Sequence, residues 1–142
     1  MLATGHYDHW QDFAKLHYLT NKPSKACRVY LWTLRGKPVA IVMVMRFPHG
    51  HIKNGWRVSR FATLPEYQGR GYGYRLLMAV AKLYHKNGGK LYLRTENNRL
   101  ACKLRRAKHW KESKNSGKTT CHRNNRWKTR KTIGWSFRYC PV

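Results

Sequence analysis

The chain has 142 residues, 42% of them hydrophobic, with 30 Lys and Arg against 5 Asp and Glu, a net charge of +25. This length makes one domain, residues 1–142, with a core that needs neither metal nor disulfides, and six Trp argue against wholesale disorder. So large a cationic excess calls for a polyanion, nucleic acid by default; the plain alternative is a solvated basic surface.

Residues 6–19 place Trp10, Phe13 and Leu16 or His17 on one face, which predicts a helix. Asn21-Lys22-Pro23-Ser24 breaks it. Cys27–Leu34 and Val39–Phe47 read as strands, and the short connection Arg35-Gly36-Lys37-Pro38 pairs them as an antiparallel hairpin. A loop follows through Asn54-Gly55, then a strand, Trp56–Leu64. Beyond a glycine-rich turn, Leu76, Leu77, Val80, Ala81 and Tyr84 repeat with a helix period over Tyr74–Lys86. Asn87-Gly88-Gly89 ends that helix. Leu91–Thr95 is a short strand, and Asn97 or Asn98 caps a last helix reaching about Trp110. Glu112–Thr120 reads as a polar loop and Thr132–Tyr139 as a closing strand. Hairpins followed by a strand-helix-strand crossover give an α/β (α+β) domain. Its sheet is mixed and mostly antiparallel, with helices on its flanks.

The turn Gln68-Gly69-Arg70-Gly71-Tyr72-Gly73 stands between a strand and a helix. Glycine admits positive φ and close approach of a ligand to backbone. The first amides of a helix have no internal partner and lie at the positive end of its dipole. Strand, glycine turn and helix start together make a site for phosphate. A turn of the same composition with no ligand is the bland alternative.

These residues carry a likeness. Gln68-Gly69-Arg70-Gly71-Tyr72-Gly73 fits the pattern R/Q-x-x-G-x-G/A, preceded by Leu64-Pro65-x-Tyr67, and the chain resembles the GCN5-related N-acetyltransferases. The family's second motif, N-x-x-A-x-x-x-Y-x-x-x-G-F, appears as Asn98-Arg99-Leu100-Ala101, with Arg105 where Tyr is expected and His109-Trp110 for Gly-Phe. A narrower likeness rests on Trp10-x-x-Phe13-x-x-x-His17-Tyr18-Leu19-Thr20, Ser59-Arg60-x-x-x-Leu64-Pro65 and Ser136-Phe137-x-Tyr139. These residues look like a subgroup of phages and mobile elements that resembles the phage DNA-modification protein Mom.

The likeness implies acetyl-coenzyme A, or another acyl-coenzyme A, as donor. Backbone amides of Gln68, Gly69, Arg70, Gly71, Tyr72 and Gly73 would hold its pyrophosphate, with Ala62, Thr63 and Leu64 pairing along its pantetheine arm and Asn98 contributing from the second motif. Arg105 takes the place of the usual Tyr acid, and an Arg keeps its proton at neutral pH. It can stabilise negative charge or contact nucleic acid. His17 and Tyr18 are the replacement proton-handling pair that the subgroup implies, since His titrates near neutrality; by spacing alone they are equally a core stripe with Trp10 and Phe13. Ser59 and Arg60 line an acceptor pocket or a solvated strand face.

Between Lys103 and Lys131 the chain carries twelve Lys and Arg and only Glu112 as an acid. Cations beside flat aromatics suit a phosphate backbone and unstacked bases. The expected nucleic-acid contacts are Lys103, Arg106, Lys108, Lys111, Arg123, Arg126, Trp127, Lys128, Arg130 and Lys131. Cys27, Cys102, Cys121 and Cys140 form no CxxC, and His6, Asp8 and His9 interrupt any apolar leader. Free thiols in a cytoplasm, a host's if phage-encoded, follow. No metal is expected: His49-Gly50-His51 and Cys121-His122 match no common zinc spacing. No membrane span is expected either. The function expected is modification of a nucleic-acid base, DNA in the leading version. The alternatives are acetyl transfer to an amine of a protein or small molecule, and non-enzymatic nucleic-acid binding.

Overall fold

The computed structural model describes residues 1–16, 22–114, 116–117, 119–124 and 128–141, with 119–124 and 128–132 given by backbone pairing alone. The fold class is mixed α/β, and its residues fall into two compact units, Met1–Leu91 and Tyr92–Val142.

In the first unit a short strand β1 (Leu2–Gly5) pairs antiparallel with β2 (Arg28–Leu34), β2 with β3 (Lys37–Arg46), and β3 with β4 (Gly55–Thr63). The β2–β3 hairpin is the one expected. Its two-residue turn places Arg35 at φ 50 and Gly36 at φ 76, and two successive positive φ values match the twist of the flanking strands. β1 was not expected: four residues of mixed polarity carry no readable period.

The expected N-terminal α-helix is instead two 3-10 segments, Tyr7–Asp12 and Ala14–Leu16. The reason lies in the spacing. Tyr7, Trp10 and Phe13 recur every three residues, and a 3-10 helix eclipses residues three apart. Trp10 and Phe13 are both buried, packed with Val29, Leu31, Ile41, Met43 and Ala62 on one face of the sheet. The His6 ring accepts from the Asp8 amide while the His9 ring accepts from the His6 amide, which caps the first segment from both directions.

The opposite face of this sheet is covered by α1 (Tyr72–Lys86), whose Leu76, Leu77, Val80, Ala81 and Tyr84 are buried as their period predicts. The helix stops at Asn87. Gly88, at φ 77, turns the chain, and its amide and that of Gly89 donate to the carbonyls of His85 and Tyr84.

In the second unit β5 (Lys90–Thr95, its first two residues in the first unit) pairs antiparallel with β9 (Trp135–Tyr139), which pairs in turn with β6 (Trp110–Glu112). The helix α2 (Asn98–Arg106) is capped by Asn97, whose side chain accepts from the Arg99 and Leu100 amides at 3.0 and 3.3 Å. It buries Ala101 and Leu104 and ends earlier than expected, since Ala107 leaves helical geometry and Trp110 opens β6. β7 (Thr119–Asn124) and β8 (Lys128–Ile133) form a separate antiparallel hairpin, which was not expected: only its first two residues fall in the expected loop and its last two in the expected closing strand. Among the described residues no helix is long and apolar enough to cross a membrane.

Candidate functional site

The site begins where β4 ends. Beyond Ala62, which packs into the core, Leu64 donates its amide to Val39 O at 2.9 Å, and Pro65–Tyr67 form a single 3-10 turn. Gln68 then reaches back: its side-chain amide donates to Thr63 O at 3.0 Å. This bond ties the start of the glycine turn to the end of the strand. The Leu64 amide and one acceptor site on Thr63 are thereby engaged within the chain.

Gly69 and Gly71 both have positive φ, 80 and 84, and an added Cβ at either would meet nothing within 4 Å. Their backbone therefore faces open space. Gly73 is the opposite case: a Cβ there would strike Thr63 Oγ1 and lie 3.1 Å from Phe61 Cζ. Its bare Cα lets the first turn of α1 rest against β4. Gly71 is the N-cap and supplies no side-chain hydrogen bond, and the Arg75 amide is bonded to Gly71 O. An α-helix leaves the amides before that bond without internal acceptors, at the positive pole of its dipole. An open glycine backbone leading into an uncapped helix start is chemically a site for phosphate or pyrophosphate.

The cations beside it are positioned by aromatic rings. Arg70 lies 5.8 Å from the Tyr67 centroid and Arg75 5.9 Å from that of Tyr72, while the two Tyr rings meet edge to face at 6.2 Å. Sequence reasoning found the glycines but not the roles of the Gln68 side chain or of Gly73, which depend on where Thr63 and Phe61 fall.

Upstream in β4 the register slips: Met43 pairs with Arg60 but Val44 with Val58, so Ser59 is the extra residue of a β-bulge. Ser59 is half-buried, and its carbonyl accepts from Arg60 Nη1 at 2.9 Å. Arg60 itself is buried, 6.0 Å from the Trp10 centroid. His17 and Tyr18 lie outside the described residues.

Asn98 and Arg105 belong to the second unit. Asn98 is the first residue of α2, and its Oδ1 accepts from Cys102 Sγ at 3.6 Å. Arg105 grips Glu112 bidentately, Nε to Oε2 at 2.8 Å and Nη2 to Oε1 at 2.9 Å, and Ser116 Oγ donates to the same carboxylate at 2.6 Å. These hydrogen bonds, Arg105 first and Ser116 second, hold the Glu112 carboxyl at about 2, and the Glu112 bond raises the Arg105 pKa. Lys103, Arg106, Lys108 and Lys111 are exposed on and after α2. Arg123, Lys128, Arg130 and Lys131 lie in the β7–β8 hairpin, with Arg123 opposite Thr129, Asn124 opposite Lys128, His122 opposite Arg130 and Cys121 opposite Lys131. Arg126 and Trp127 lie outside the described residues. Among those described, no three His, Cys, Asp or Glu gather as metal ligands.

Three solved structures of similar fold bear on this arrangement. The ribosomal-protein-alanine N-acetyltransferase of Brucella melitensis has a TM-score of 0.71 at 11% identity, over 99% of each chain. An acetyltransferase of Bacillus subtilis in complex with CoA has a TM-score of 0.70 at 11% identity, over 99% of this chain and 98% of the other. The ribosomal-protein-S18-alanine N-acetyltransferase of Escherichia coli has a TM-score of 0.66 at 17% identity, over 98% and 93%. No curated protein matches the chain in sequence. The family model for the acetyltransferase (GNAT) family matches residues 3–107, which include β4, the glycine turn and all of α1. The chain belongs to the acetyltransferase (GNAT) family.

Proposed function

We propose that this protein transfers an acyl group from acyl-coenzyme A to an amine of a nucleic-acid base. The observation that carries the donor half is the uncapped start of α1 behind two open, left-handed glycines. The residues fit the group: Gly69 and Gly71 leave a pyrophosphate room to approach, the first amides of α1 meet its charge, and Arg70 adds a cation steadied by Tyr67. Gln68 holds the turn in that shape through Thr63 O. Acyl-coenzyme A supplies an acyl group already activated as a thioester.

The acceptor half rests on charge. A net +25 with twelve cations between Lys103 and Lys131 suits an acceptor embedded in a polyanion, held by its backbone while one base is presented. His17 and Tyr18 are proposed to handle the amine's proton, and Ser59 and Arg60 to line the approach. Arg105 is proposed to act with Glu112, as a clamp that sets α2 against β6. The second reading, transfer to a protein amine, is favoured by the ribosomal-protein acetyltransferases of similar fold.

Two measurements test this. Acetyl-coenzyme A at a hundredfold its Kd should stabilise the protein by about 2.7 kcal/mol; an unchanged melting curve at high ligand removes the donor. Mass spectrometry of nucleosides from cells with and without the protein should show one base with a new mass. An unchanged nucleoside profile together with an acetylated protein amine gives the second reading.

A further inference from the structure

At the end of α1 remote from the glycine turn, the first unit holds a second cationic site. A cavity of about 130 Å³ is lined by Arg28, Tyr30, Asn54, Trp56, Tyr84 and Asn87, well above the ~10–15 Å³ that one water needs. Two guanidinium groups lie against the indole of Trp56, which forms part of the cavity wall: Arg28, also in the wall, is 4.7 Å from the ring centroid, and Arg46, outside it, 4.8 Å. The strand register explains the meeting. Arg46 is directly opposite Trp56, and Arg28 is opposite Val44, two residues before Arg46 on the same face.

The site is held in place from several sides. Asn54, in left-handed geometry at φ 52, accepts at its Oδ1 from both Arg46 Nη1 (2.9 Å) and Trp56 Nε1 (3.2 Å). Its carbonyl accepts the Lys90 amide at 3.0 Å. Tyr84 packs on Trp56 at 5.0 Å. Gly89 lies under the indole, where a Cβ would come 3.2 Å from Trp56 Cδ1 and 3.1 Å from Tyr84 O.

Neither arginine meets a carboxylate among the described residues: the ion pairs there are His6–Asp8 and Arg105–Glu112. At the end of α1 the carbonyls of Leu83, Tyr84 and His85 accept the amides of Asn87, Gly88 and Gly89. Two like charges held on one side chain without a counter-charge are unfavourable, and an anion bound beside them relieves this. The Tyr30 and Tyr84 hydroxyls are 3.0 Å apart and use one hydrogen between them, leaving a second to donate. Burial, and then the Tyr30 hydrogen bond, raise the Tyr84 pKa and outweigh the lowering by the Arg28 guanidinium beside it, so Tyr84 keeps its proton. Trp56 is already covered by Arg28, Arg46 and Tyr84, so the cavity suits an anionic group rather than a stacked base.

We infer that Arg28 and Arg46, aligned on Trp56, bind a phosphodiester of a nucleic-acid strand at a site separate from the glycine turn. This rests on the nucleic-acid half of the proposed function and is independent of the acyl donor. The contact is to backbone, so it positions the strand without reading sequence.

The test is fluorescence anisotropy of a labelled single-stranded oligonucleotide, titrated with the full chain at several salt concentrations. Arg28→Gln with Arg46→Gln should weaken binding at least about tenfold and lower the salt slope by about 0.7, one phosphate on a single strand. Lys22→Gln with Lys25→Gln removes the same charge from an exposed turn and should change affinity less than about twofold. Arg28→Lys with Arg46→Lys keeps the charge but loses the planar fork, and should also weaken binding. Unchanged melting curves would assign these losses to the site. Equal weakening by both Gln pairs overturns the site and leaves nucleic-acid binding standing. An oligonucleotide that does not bind the wild type overturns both. Saturable binding of AMP without binding of the oligonucleotide overturns the strand as the source of the phosphate.

Discussion

Arg105 and Glu112, seven residues apart, close a bidentate ion pair that spans the end of α2 and the last residue of β6, with Ser116 as a third partner. The Ser116 hydroxyl also accepts the Ser136 amide at 3.1 Å, which carries the contact on to β9. In the family motif Arg105 stands where a Tyr acid is expected. Here its guanidinium forms part of a fastening within the second unit.

That fastening predicts a pH dependence. The Glu112 carboxyl titrates lower in the folded chain, at about 2, than its ordinary 4.5. A depressed carboxyl contributes stability above the unfolded value, and this is lost as pH falls through the folded one. Glu112→Gln should therefore lower the melting temperature slightly at neutral pH, because the pair is partly solvated. The gap to wild type should narrow below about pH 4.5 and close near about 2. A gap that is constant across this range would mean the carboxylate charge plays no part.

Gly73→Ala should destabilise the protein by about 1–3 kcal/mol through overpacking and abolish stabilisation by acetyl-coenzyme A. The new methyl meets Thr63 Oγ1 and the Phe61 ring, so it pushes the start of α1 off β4. Adding Thr63→Ala removes the hydroxyl in the way and should restore part of both losses. Thermal melts of the four combinations, with and without ligand, decide the matter. No rescue would mean that the contact with Thr63 is not the cause.

Gly71→Ala is a different experiment at nearly the same place. Space around Gly71 is open and its φ is 84, so the cost is strain alone, about 1–2 kcal/mol. Gly71→Asn should cost less than Gly71→Ala, since Asn tolerates this geometry better. Equal melting temperatures for the two variants would contradict the left-handed assignment.

Phe13 is fully buried between the N-terminal 3-10 segments and the sheet. Phe13→Ala should cost about 3–5 kcal/mol in chemical denaturation. A loss below about 1 kcal/mol would mean that these segments are not part of the cooperative core.

The glycine turn, the β2–β3 hairpin and α1 were readable because each has a local cause: left-handed glycines, a two-residue turn, an apolar stripe. Other elements have causes distant in sequence. The β7–β8 hairpin runs Thr-Thr-Cys-His-Arg-Asn against Lys-Thr-Arg-Lys-Thr-Ile, and no apolar alternation marks it as strand. Trp10 and Phe13 are buried as expected, but Leu16, read on the same face, is exposed, and the three-residue spacing was taken for an α-helix. The partner of Arg105 could not be found by helix spacing, because Glu112 lies beyond the helix end. The Arg28, Arg46 and Trp56 cluster comes from three strands and becomes visible only with their register.

The bulge at Ser59 makes β4 two half-strands of opposite phase. Before it, Trp56 and Val58 look toward α1; after it, Phe61 and Thr63 do so, three and five positions beyond Val58. An odd step from Val58 to Phe61 would put these residues on opposite sides of an unbroken strand. One inserted residue thus lets a single strand carry Trp56 at one end of α1 and the contact with Gly73 at the other. Excising Ser59 would leave composition and hydrophobicity almost unchanged, yet it would invert one half of the strand against the other. The two proposed anion sites of this unit are joined by a strand whose phase is corrected once, between them.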